Sequence, residues 1–215
     1  MKLLAVNTAF KQANIAFFDG KESFYKTLDS NCKNAEVVLK NIDEILQDNS
    51  IRDINTFAVV VGPGSFTGIR IAVALAKGFM VADENLKAIS ICSLDLMSYI
   101  FQKLNPNHDY YVALNALSGN YFVAKYSKSG KCLEDPKMVN GEELELVQKS
   151  YVVGLKSEET EFADYSIEIT SENLLSLALE LEKENKHTAE NNLTPLYLRL
   201  SQAEQNLKDK EQNDN

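Results

Sequence analysis

Short apolar runs separated by polar turns occupy the first thirty residues. Lys2 to Val6 and Asn14 to Phe18 read as strands, and Asp19-Gly20, two residues that tolerate positive φ, turn the chain into a third, Ser23 to Leu28. The period then changes. Val38, Ile42, Ile45 and Leu46 recur at helical spacing between Asn34 and Gln47, with Lys40, Asp43 and Glu44 on other faces. Thr56 to Val61 is β-branched and apolar without alternation, the pattern of a strand covered on both faces, and Gly62-Pro63-Gly64 ends it. A second helix follows from about Gly68 to Val81. Ala88 to Cys92 then reads as a strand, and Leu94 to Leu104 as a helix that stops before Pro106.

After Pro106 the order begins again. Tyr110 to Leu114, Asn120 to Tyr126 and Lys131 to Val139 are strand-like, joined by Ser118-Gly119 and Ser129-Gly130 turns. Glu142 to Gln148 reads as a helix, Tyr151 to Leu155 as a short strand and Glu172 to Lys186 as an amphipathic helix. The second half is a shortened copy of the first. Two βββαβα units of this kind resemble the duplicated ribonuclease H-like α/β architecture of the actin, sugar kinase and Hsp70 superfamily, with one lobe expected over residues 1–104 and a shorter one over 105–202. Residues 203–215 are almost all Lys, Glu, Asp, Gln and Asn, and read as a disordered tail.

Composition narrows the function. With 31 acidic against 22 basic side chains the formal net charge is -9, which opposes unspecific attraction to a phosphate backbone. Any nucleic acid is therefore expected to be held by a partner. Cys32, Cys92 and Cys132 are widely spaced, without a C-x-x-C pair, and fit neither a disulfide framework nor a zinc site. No apolar run reaches the ~20 residues that a membrane span needs, and the N-terminus lacks the long apolar core of a signal peptide. A cytoplasmic protein is expected.

The most informative stretch is Gly62-Pro63-Gly64-Ser65-Phe66-Thr67-Gly68-Ile69-Arg70. A glycine-rich turn between a buried strand and a helix N-terminus presents free N–H groups to an anion. It is not a Walker A loop, because Gly68 is followed by Ile69 and no phosphate lysine is supplied. On generic grounds it is equally a tight turn with a Ser or Thr cap. Taken whole, however, GPGSFTGIR followed by the alanine-rich IAVALAKGF closely resembles the signature of the TsaB family, once called YeaZ. The likeness extends to the opening strand LLAVNTA, to Asn34-Ala35-Glu36 at the first helix, where the family usually has His, and to Pro195-Leu196-Tyr197-Leu198-Arg199 near the end. It implies a role in placing threonylcarbamoyl on a tRNA adenosine, as a non-catalytic partner that binds the transferase subunit TsaD and works with the ATPase TsaE, tRNA being reached only through the complex.

The departures from the family pattern carry chemistry. Catalytic members of the superfamily end the first strand of each lobe near an Asp that helps hold magnesium; here those places carry Asn7 and Asn115, and Leu117 stands where relatives have Arg. An Asn brings no negative charge to a hard divalent cation. Both residues are equally readable as turn formers at strand ends. His108 and His187 have no paired-ligand spacing, Ser65 lies in no G-x-S-x-G elbow, and Glu142-Glu143 and Glu158-Glu159 are charge runs on solvated faces. No catalytic residue, metal or cofactor is nominated. Two other classes compete: a small ATP-dependent kinase or ATPase of the same superfamily, opposed by the two Asn and the short second lobe, and a free-standing tRNA-binding module, opposed by the acidic balance.

A partner interface is expected on the two helices of the first lobe. Gly68, Ala72 and Ala76 recur every four residues as a small-residue stripe, beside Ile69, Val73 and Met80 and with Val38 and Ile42 on the preceding helix. A helix so apolar all round is either wholly internal or covered on its second face by another molecule. The resemblance favours the second, with a TsaD-like subunit or a second copy of the chain as the cover.

Overall fold

The structure is a computed structural model, and it describes residues 1–29, 34–147, 151–156 and 163–198. The first sheet is built from β1 (Leu3–Asn7), β2 (Ala13–Phe18), β3 (Ser23–Leu28), β4 (Thr56–Gly62) and β5 (Lys87–Cys92), in the order β3-β2-β1-β4-β5. The first three strands are antiparallel, while β4 runs parallel to both β1 and β5. The second sheet repeats this order with β6 (Tyr110–Leu117), β7 (Asn120–Tyr126), β8 (Cys132–Asn140), β9 (Tyr151–Leu155) and β10 (Tyr165–Ile167), arranged β10-β9-β6-β7-β8. The duplicated actin-like α/β fold is thus visible in strand order alone.

Helices α1 (Ala35–Ile45) and α2 (Phe66–Ala82) lie together on one face of the first sheet, and α3 (Ser93–Gln102) and α5 (Ser171–Lys183) pack on the other. Every residue of β1 and β4 is buried as a consequence, which is why those strands carry no polar alternation. Helix α4 (Gly141–Val147) covers the outer face of the second sheet with a small cluster of Ala113, Val123, Val139, Leu144 and Val152. The opposite parity of β6, Tyr110, Val112, Leu114 and Ala116, faces inward and joins the main core. That core is continuous across both sheets, because α3 follows the first sheet yet packs on β6, β7 and β10, while α5 follows the second yet packs on β1 and β2.

Strand β10 is absent from the sequence expectation. It is three residues long with two of them exposed, and so leaves no period to read. The last helix ends at Lys183 rather than Lys186: Asn185 takes a φ of 55°, and the Lys186 and Asn185 amides close back on the Leu181 and Glu182 carbonyls, a left-handed C-terminal closure that no glycine announces. The expected helix end at Gln148, the tail 203–215, Cys32, Glu158-Glu159 and Arg199 lie outside the described residues.

Candidate functional site

The signature turn sits at the C-terminal end of the buried strand β4, where it enters α2. Its glycines answer to specific contacts. Gly62 has a φ of 114°, and a Cβ there would meet the Ile69 side chain and the Leu196 carbonyl at 2.9 Å. Gly64, with a φ of 155°, and Gly68 lie under the β1–β2 turn, where added Cβ atoms would come within 2.5 Å of the Ala9 carbonyl and 1.9 Å of the Thr8 carbonyl. Backbone pressed on backbone leaves room for hydrogen alone. The contact is sealed by polar bonds: the Ser65 amide donates to the Ala9 carbonyl at 2.8 Å, and Thr8 Oγ1 donates to the Gly68 carbonyl at 2.5 Å. Ser65 also caps α2, its hydroxyl accepting from the Gly68 amide at 3.3 Å.

Asn7 stands directly behind this contact and is fully buried. Its Nδ2 donates to Asn14 Oδ1 at 3.0 Å and its Oδ1 accepts from the Ala9 amide at 3.0 Å, so both ends of the amide are committed to shaping the β1–β2 turn. Asn14, which sequence reasoning did not single out, is equally buried, and its Nδ2 has no hydrogen-bond partner among the described residues. Asn115 is exposed in the matching place of the second sheet, where its Oδ1 accepts from the Leu117 amide at 2.7 Å; Leu117 itself is exposed with a φ of 66°. Asn34 caps α1, its side chain accepting from the Val37 amide. Among the described residues no group of three His, Cys, Asp or Glu side chains could hold a metal ion. A cleft opens between Phe10–Gln12 of the β1–β2 turn and Leu155, Lys156 and Glu168 at the ends of β9 and β10.

The expected interface residues prove to face inward. Val38, Ile42, Ile69, Ala72 and Ala76 are 0 to 1% exposed, Gly68 and Val73 are buried, and Met80 is half-buried. The small-residue stripe therefore serves to bring α2 close to its own sheet. A single sequence cannot tell the two faces apart, because each carries small residues four apart. The outward face of α2 carries Phe66, Arg70, Ala74, Gly78 and Val81, with Ile71 and Leu75 half-covered. Phe66 is stacked on Tyr197 with ring centroids 4.8 Å apart, and the Arg70 guanidinium lies 5.1 Å from the Phe66 ring centre. Tyr197 reaches this place because the Leu196 amide donates to the Val61 carbonyl at 2.7 Å. The turn, α2 and the end of the chain thus form one surface.

Elsewhere among the described residues, titratable groups are shifted or held by their surroundings. Burial, reinforced by the nearby charge of Asp95, pushes the Cys92 thiol up to about 12, and burial likewise raises the Asp95 carboxyl, although the Tyr126 hydroxyl donates to it at 2.7 Å. His187 is held by Glu182 at 2.7 Å. Each is tied into the packing between the elements rather than aimed at a cavity.

Residues 31–159 match the family described as TsaD: tRNA N6-adenosine threonylcarbamoyltransferase. The chain is 26% identical to the tRNA threonylcarbamoyladenosine biosynthesis protein TsaB of Escherichia coli K12, over 98% of this chain and 100% of that protein. It is 23% identical to TsaB of Buchnera aphidicola from Acyrthosiphon pisum, over 91% of this chain and 97% of the relative. The chain belongs to this family, in its TsaB (YeaZ) branch. Among solved structures, YeaZ from Pseudomonas aeruginosa superimposes with a TM-score of 0.73 at 17% identity, covering 92% of this chain and 99% of that one. A second chain described as similar to the peptidase YeaZ, also from Pseudomonas aeruginosa, gives 0.75 at 18% identity over the same shares; at such identities the likeness is one of fold. The TsaB relatives are proteins of tRNA threonylcarbamoyladenosine biosynthesis, and no helix among the described residues is long and apolar enough to cross a membrane.

Proposed function

We propose that the chain is a non-catalytic, activating subunit of the assembly that makes N6-threonylcarbamoyladenosine in tRNA, and that it docks a TsaD-like catalytic subunit on the outward face of α2 and the adjoining face of α1. The observation that carries this reading is the double commitment of Asn7. In a magnesium-dependent relative this position would offer a carboxylate, whereas here a neutral amide is consumed by Asn14 and the Ala9 amide inside the turn. A site without that charge holds a hard cation poorly.

The surface supports the second half of the proposal. Phe66 and Val81 are 44% and 74% exposed on a helix that contains no acidic residue, and Leu39 on α1 is 42% exposed. Apolar residues gathered on one face of a small protein, with an aromatic and an arginine among them, fit an association surface. The acidic chain, with a net charge of -9, reaches tRNA only through the assembly. A TsaE-like ATPase completes it, and in the absence of partners a second copy of the chain covers the same face. The setting is the cytoplasm.

Two measurements test the reading. Tagged protein purified from its own cells should bring down a TsaD homologue, and its depletion should lower threonylcarbamoyladenosine in digested tRNA. ATP turnover by the isolated chain that disappears on altering Asn7 would instead favour the kinase or ATPase reading.

A further inference from the structure

Beyond α5 the chain does not trail away from the molecule. Thr188 pairs with the edge of the first sheet, its amide donating to the Ala88 carbonyl at 2.7 Å and its hydroxyl accepting from the Ser90 amide at 3.1 Å. Just before it, His187 is bonded to Glu182, which also accepts from the buried Thr56 hydroxyl at 3.0 Å. Leu193 is then fully buried in the main core, and Leu196 and Tyr197 reach the end of β4 and the first turn of α2. Between these points Ala189 to Asn192 and Thr194 are exposed. The segment is fastened at a few spots and solvated between them, which is the make-up of an element that opens at far lower free energy than the core.

The last of its fastenings, at Leu196 and Tyr197, falls at the signature turn. The turn is gripped from one side by Thr8 and Ala9, and from the other by the strap, whose Leu196 amide satisfies the Val61 carbonyl while its Leu196 carbonyl closes over Gly62. Without the strap, that carbonyl loses its partner, and Phe66 loses the ring against which it is stacked. We infer that residues 187–198 act as a latch: they hold the signature turn and the first turn of α2 in register, so that a partner meets an ordered outward face of α2 only while the latch is seated. The latch couples a distant part of the sequence to the α2 surface through preorganisation rather than added contact area. Its second half, the effect on a partner, rests on the docking surface proposed above.

The test uses the full chain with Tyr197→Ala, which removes the stack, and Leu193→Ala, which loosens the buried anchor. Hydrogen exchange across residues 61–70 should become roughly 2- to 10-fold faster in Tyr197→Ala, the range a stacked aromatic pair is worth, while exchange in β2 and β7 stays as in the parent. Affinity for a TsaD-like subunit should fall by a similar factor. Unchanged exchange at 61–70 in Tyr197→Ala overturns the latch, whatever Leu193→Ala does to global stability. Faster exchange with unaltered affinity overturns the coupling to the partner. A parent protein that binds no TsaD-like subunit sinks the docking proposal instead, and exchange alone then decides whether the latch exists.

Discussion

Thr8 lies across Gly68 so closely that its hydroxyl donates to the Gly68 carbonyl at 2.5 Å, while its own carbonyl stands 1.9 Å from where a Cβ of residue 68 would be. The pair locks the β1–β2 turn to the first turn of α2. Gly68→Ala should therefore force backbone apart, costing about 3 kcal/mol or more. For a chain of this length that corresponds to roughly 6 to 12 °C in Tm, measurable by thermal melting. A loss of less than about 1 kcal/mol would mean that the turn yields easily.

The two faces of α2 should respond oppositely to the same substitution. Ala72 is wholly buried and Ala74 exposed, so Ala72→Arg buries an unpaired charge in a filled core and should unfold the protein. Ala74→Arg should melt within about 0.5 kcal/mol of the parent while losing the TsaD-like partner in size-exclusion chromatography. Gly78, which has nothing within 4 Å of a Cβ, offers an independent outward site for the same test.

Asn7→Asp would remove the donor to Asn14 and place a carboxylate at a position with no exposure. The expected outcome is a loss of about 2 to 4 kcal/mol in urea unfolding at neutral pH, relieved at acid pH where the new carboxyl is protonated. No ATP hydrolysis should be gained, since the second strand end still carries Asn115.

Cys92 supplies a pH test. Its thiol is raised from the ordinary 9.0 to about 12, first by burial and then by Asp95, so the folded form keeps its proton where the unfolded form loses it. The stability this contributes is complete below about pH 9 and is lost as pH rises toward 12. Cys92→Ser should flatten the fall in Tm across that window. At pH 8 native Cys92 should resist iodoacetamide and react fully once the chain is denatured, as mass spectrometry of the alkylated peptides would reveal.

Much of this protein is written in local pattern. Period and turn chemistry place all of the first five strands and the helices that follow them, because burial on one or both faces leaves an unmistakable trace in residues such as Ala58 to Val61 or Val38, Ile42 and Ile45. The string Gly62 to Arg70 points to the family, and the two asparagines at the strand ends point away from a magnesium site. What tertiary structure alone decided is which way each apolar surface turns and what lies against it. Ala72 and Ala74 are chemically identical, and only the position of the sheet makes one core and the other surface. Thr8 and Gly68, or Val61 and Leu196, are joined by backbone atoms that every residue possesses, so no side chain in the sequence signals those contacts. Strand β10 and the reach of α5 back to the first sheet depend on long-range pairing, whose energy appears only after the chain has closed on itself.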